Sequence, residues 1–192
     1  MRRNYRKILA LGAVALVPIA GITTAGAQDD PFMVGYYENA RVSGAPDAQL
    51  RLTNDGNTNA NLYADIYVLN NDEQMEECCS CSVTPDGYLD LDVNSDLLGN
   101  QLAPENATPR GVIKVLSSTT LDTAPTPTGG IRGWLSHVQN GAAAGAYTIT
   151  DTDLKDSVLS PIEESFDLAE TCSFVLELGH PAGACSCTPA GQ

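Results

Sequence analysis

The sequence predicts a mainly β fold, an antiparallel β-sandwich closed by one C-terminal helix and stapled by disulfides. Three observations predict it. Short runs of alternating apolar and polar residues recur between clusters of turn formers, with one stretch at helical spacing. Six cysteines occur in a chain of 192 residues. The chain also opens with the signature of an exported protein, and an even cysteine count outside the cytoplasm reads as disulfides. Strands without intervening helices argue for two packed antiparallel sheets, immunoglobulin-like or similar.

The elements follow in order. Phe32, Met33, Val34, Tyr36 and Tyr37 predict a first strand. Residues 48–53 alternate, with Leu50 and Leu52 on one face and Gln49 and Arg51 on the other. Asn54, Asp55, Gly56, Asn57, Thr58 and Asn59 are turn formers. Beyond them Leu62, Ala64, Ile66 and Val68 alternate with Tyr63, Asp65 and Tyr67, the clearest strand signal in the chain. The two runs together read as a hairpin. Residues 77–82 read as extended. Thr84-Pro85-Asp86-Gly87 is a turn in which Pro85 sets the first corner and Gly87 is expected to take the awkward dihedral. Residues 88–93, 112–116, 131–138 and 147–150 are further strands, with loops over 124–130 and 140–146.

One segment departs from this pattern. Ser160 is an N-cap, Pro161 takes the first helical position and Glu163 completes a capping box. Ile162, Phe166, Ala169, Cys172 or Ser173, and Leu176 recur at helical spacing, and Gly179 can end the helix. The spacing predicts a helix over residues 161–178, lying over one end or face of the sandwich.

Export is read from the N-terminus. Arg2, Arg3, Arg6 and Lys7 precede an apolar run over residues 8–20, and Ala25-Gly26-Ala27 presents small residues where a signal peptidase cleaves. Residues 1–27 are therefore a signal peptide and 28–192 a single β-rich domain, beginning at Gln28. The run contains Gly12 and Pro18 and is shorter than the about 20 residues of a membrane span, so no membrane anchor is expected after processing. The expected location is extracellular or periplasmic. Loss of the four basic residues of the signal takes the formal net charge from −14 to −18, because all 24 acidic residues remain. Such a chain lacks the basic surface that nucleic acid or an anionic membrane requires. A protein or cell-surface partner is compatible with it.

The cysteines are Cys78, Cys79, Cys81, Cys172, Cys185 and Cys187. In an extended segment Cys79 and Cys81 share one face and Cys78 takes the other. Two Cys-x-Cys segments side by side make a double staple and leave Cys78 for Cys172 on the helix. Antiparallel alignment joins Cys79 to Cys187 and Cys81 to Cys185; parallel alignment exchanges them. The alternative chemistry is a thiolate cluster for a soft metal, although zinc sites commonly space their cysteines more widely.

Oxygen ligands are the other candidates. Asp90, Asp92, Asn94 and Asp96 alternate, which puts all four on one face if the segment is extended. Asp55, Asn57 and Asn59, and Asp151, Asp153 and Asp156, form similar groups. Calcium takes about six to eight hard oxygens, so calcium is the possible cofactor, but none of these segments has the glycine and glutamate of an EF-hand loop. Solvated strand faces and Asx turns are the preferred reading of these groups over a calcium site. His137 and His180 lie in no metal or triad motif, and no nucleophile elbow, zinc-protease helix or phosphate loop is present. Ser136 beside His137 is adjacency in sequence, whereas a nucleophile and its base meet in space.

Ala64-Asp65-Ile66-Tyr67-Val68, then Glu77-Cys78-Cys79-Ser80-Cys81 and Val83-Thr84-Pro85, and later Cys172-Ser173-Phe174-Val175 and Cys185-Ser186-Cys187, resemble a group of uncharacterised secreted bacterial proteins. The resemblance implies export and a shared fold and no activity. The first functional expectation is a secreted, non-catalytic structural, adhesive or matrix-type protein that acts through its surface. An extracellular metal-binding protein using the cysteines or the acidic groups is the second, and a secreted hydrolase the third.

Overall fold

The computed structural model describes residues 30–121, 125–156 and 161–188. Among these residues the strands are β1 (Phe32–Tyr37), β2 (Gln49–Asn54), β3 (Leu62–Asn70), β4 (Met75–Val83), β5 (Tyr88–Asp92), β6 (Gly111–Ser118), β7 (Ile131–Asn140), β8 (Tyr147–Asp153) and β9 (Lys155–Asp156). The helix α1 (Pro161–Gly179) follows. One sheet runs β4-β3-β6-β1-β9 and the other β5-β2-β7-β8. All their pairings are antiparallel. The predicted signal segment, Gln28 and the cap residue Ser160 lie outside the described residues.

Alternation decides which face of each strand is buried. Leu62, Ala64, Ile66 and Val68 of β3 point between the sheets, where they meet Leu50 and Leu52 of β2, Ile113 and Val115 of β6, and Leu135 of β7. A second apolar layer lies on the opposite face of the five-stranded sheet. There Phe32, Tyr67, Cys78 and Leu116 pack under Leu168 and Val175 of α1. The helix thus covers a face of the sandwich, and one sheet is buried on both sides.

Three expectations are corrected. The runs 48–53 and 62–68 do not form a hairpin: β2 pairs with β5 and β7, whereas β3 pairs with β4 and β6. The loop between them crosses from one sheet to the other, and fully buried Asn54 shapes it. Its Nδ2 donates to the Ala60 and Val83 carbonyls, and its Oδ1 accepts from the Gly56 amide.

In the 84–87 turn the positive φ of +57° belongs to Asp86, not Gly87. Glycine is still required at 87, because a Cβ there would stand 2.6 Å from the Thr84 carbonyl oxygen.

The helix buries Ser165, Leu168, Ala169 and Val175 and leaves Phe166 exposed, together with Phe174 and Leu178. Of the predicted stripe, Ala169 is buried and Cys172 is half-buried and bonded to the sheet, whereas Phe166 and Leu176 are exposed and Ser165, Leu168 and Val175 are buried instead.

The chain changes sheet once more at Leu154. Asp153 ends β8 in the four-stranded sheet, Lys155 begins β9 in the other, and Leu154 inserts between them. Its side chain occupies the space left by two glycines: a Cβ on Gly133 or on Gly35 would lie 2.5 Å from a Leu154 methyl.

Candidate functional site

The three bonds are Cys78–Cys172, Cys79–Cys185 and Cys81–Cys187, with Cα–Cα separations of 5.8, 5.2 and 5.3 Å. The double staple is therefore the parallel one. Residues 184–187 run alongside the free edge of β4: the Cys78 amide donates to the Gly183 carbonyl at 2.9 Å, and the Cys185 amide donates to the Cys78 carbonyl at 3.2 Å. This seals an edge strand that would otherwise present unpaired backbone groups. Three disulfides are consistent with an oxidising compartment. Among the described residues no helix is long and apolar enough to cross a membrane.

The Sγ atoms of Cys79, Cys81 and Cys187 lie within 4.8 Å of one another, the spacing of a soft-metal cluster. All three sulfurs are in disulfides here, and soft metals are held by thiolates, so the oxidised chain does not supply those ligands.

Glu77 stands under this staple with no exposed surface. Its Oε1 accepts from the Asn100 amide at 2.6 Å, and the Asn100 side chain donates to the Pro181 carbonyl at 2.6 Å, latching the C-terminal segment to the sheet. Its Oε2 has no hydrogen-bond partner, and burial pushes the carboxyl up to about 8.

The acidic ladder is not assembled as predicted. β5 ends at Asp92, and Val93–Leu97 is a single wide helical turn, so Asn94 and Asp96 leave the strand face. Buried Asp96 accepts from the Asp92 amide at 2.8 Å, and Asn94 accepts from the Arg41 amide at 2.7 Å. Asp92 accepts from Gln49 at 3.3 Å, and Asp90 stays on β5, one of its oxygens buried without a hydrogen bond. Asp55 accepts from the backbone amide and side chain of Asn57 and faces Arg132, which makes that loop an Asx turn. Asp151 is engaged by Ser136 and Arg51. Ser136 and His137 take opposite faces of β7, with His137 stacked on Tyr36 at 4.1 Å and bonded to Thr152.

A groove lies elsewhere, between α1 and the outer face of β3 and β4, next to the Cys78–Cys172 bond. Its volume is about 610 Å³, within the range of small-molecule sites. Tyr67, Leu121, Ala169 and Leu176 give it apolar walls, while Asp65 and Ser80 lie on its floor and Glu177 and His180 stand on α1 and just beyond it.

Asp65 is the unusual member. It sits on β3 opposite Ser80 of β4, and only 5% of its surface is exposed. Ser80 donates to its Oδ1 at 2.5 Å, and Oδ2 is buried with no hydrogen-bond partner. Burial raises this carboxyl above the usual range against the lowering by Ser80 and Ser118.

Sequence reasoning placed Asp65 on the polar face of its strand and passed over it. The available signal was the pairing of Cys78 with Cys172, because a helix bonded to β4 covers that face. Compared with family models, curated proteins and solved structures, this chain matches none.

Proposed function

We propose that this chain is an exported, non-catalytic protein that acts through its surface, and that the groove beside α1 is its binding element. The supporting observation is the groove itself: apolar walls converge on a few polar side chains within a rigid frame. Its walls are set by a sheet buried on both faces and by a helix bonded to that sheet, so the cavity is preorganised. The described histidines are His137, turned toward Tyr36, and His180 at the groove mouth, and all six thiols are oxidised.

The test is saturable binding of an apolar fluorescent probe to the mature protein, repeated with Ser173→Trp, which fills the groove from α1. Binding that weakens at least about tenfold in the variant supports the reading. Equal binding by both proteins removes it.

A further inference from the structure

The groove has a charge character that its apolar walls conceal. Among the described residues that line it, Asp65 and Glu177 carry carboxyl groups and none is lysine or arginine. Lys114 lies opposite Tyr67 in the register and is paired with Glu164 of α1. Asp65 is nineteen-twentieths buried and keeps one oxygen without a hydrogen bond. A buried carboxylate needs either a proton or a cationic partner, because desolvation otherwise disfavours its charge. Ser80 donates to one oxygen, and the other is buried without a hydrogen bond.

We infer that the groove takes a protonated amine carried on an apolar body, with the ammonium bonded to Asp65 and the body lying along Tyr67, Ala169 and Leu176. This rests on the groove being the binding element and adds the chemistry of the head group. An ammonium offers three donors, so it neutralises the Asp65 carboxylate and reaches Ser80 or Glu177 as well. An alcohol of the same shape offers one donor and no charge, and a carboxylate meets like charge. Charge-assisted hydrogen bonds in a partly dry site are the stronger kind, so discrimination among the three is expected to be large.

Phenylbutylamine, phenylbutanol and phenylbutyrate share one apolar body and differ in the head. They are titrated calorimetrically into the mature, oxidised protein at neutral pH and moderate ionic strength. The expected result is one saturable site that binds the amine at least about tenfold more tightly than the alcohol, with the carboxylate weakest. Asp65→Asn should bring the amine down to the level of the alcohol, whereas Asp90→Asn, on the other sheet, should leave it unchanged. Glu177→Gln is an exposed change on α1 that the fold tolerates, and it should weaken the amine by a smaller factor. Equal affinity of amine and alcohol for the unaltered protein overturns the head-group inference and leaves the groove as a binding site. Absence of binding by all three overturns both. Amine binding reduced as much by Asp90→Asn as by Asp65→Asn would identify general attraction to an acidic surface and also overturn it.

Discussion

Cys78 on the edge strand β4 and Cys172 in the middle of α1 are bonded with their Cα atoms 5.8 Å apart, and this bond fixes the helix over the groove. Apart from it, α1 is held to the sheet chiefly by Leu168 and Val175 and by the Lys114–Glu164 pair. Replacing both cysteines by serine should cost about 2–4 kcal/mol in urea unfolding. The β signal in circular dichroism should persist while probe binding in the groove is lost. Retained binding in that double variant would show that the bond does not shape the site.

The other two bonds close nearly the same loop, with sequence separations of 106 each. With Cys79–Cys185 intact, Cys81–Cys187 closes a ring of only about six residues, an entropic effect of about 2 kcal/mol, and Cys79–Cys185 itself closes a ring of about sixteen beside Cys78–Cys172, an effect of about 3 kcal/mol. Removing either bond alone should therefore cost about 2 kcal/mol, less than half of the about 5 kcal/mol for removing both. Unfolding free energies of the two single variants and the combined variant check this, and additive losses would contradict the shared-loop argument.

Glu77 makes stability depend on pH. Its folded value, about 8, lies above the ordinary 4.5, so the folded state binds that proton more tightly than the unfolded chain. The stability it contributes is present below about pH 4.5 and is lost as pH rises through about 8. Burial also raises Asp47, Asp65 and Glu76, all in the same direction. The melting temperature should fall between pH 5 and 8, roughly the span bracketed by these values. In Glu77→Gln that fall should be shallower.

Leu154 locks the crossover between the sheets by filling the space over Gly133 and Gly35. In Gly133→Ala the new methyl would stand 2.5 Å from Leu154 and 2.9 Å from Leu52, and the crowding should cost about 1–3 kcal/mol. Adding Leu154→Ala should recover part of that loss, because the closer of the two clashes disappears while the one with Leu52 remains. A double variant whose loss equals the sum of the single ones would show that the contact is not the cause.

Much of this was legible before any coordinates. Residues 62–68 alternate because one face of β3 meets the other sheet, and the two faces of β4 separate Cys78 from Cys79 and Cys81 by the same period. The false hairpin arose because alternation identifies a strand but not its partner; Asn54, buried at the crossing, does that here through contacts distant in sequence. The acidic ladder failed where a helical turn interrupts β5 after Asp92, a break imposed by Asp96 folding back on the Asp92 amide. Asp65 was hidden for a related reason. A polar residue at an alternating position reads as solvated until another element is known to cover that face.

The most direct measurement of whether the groove is the working site is a heteronuclear amide-shift titration of the mature protein with phenylbutylamine. The predicted result is a saturating set of shifts at Asp65, Ser80, Ser173 and Glu177, with β7 and β8 unmoved. Shifts that spread along the acidic outer face of β5 and β8, or that fail to saturate, would contradict it.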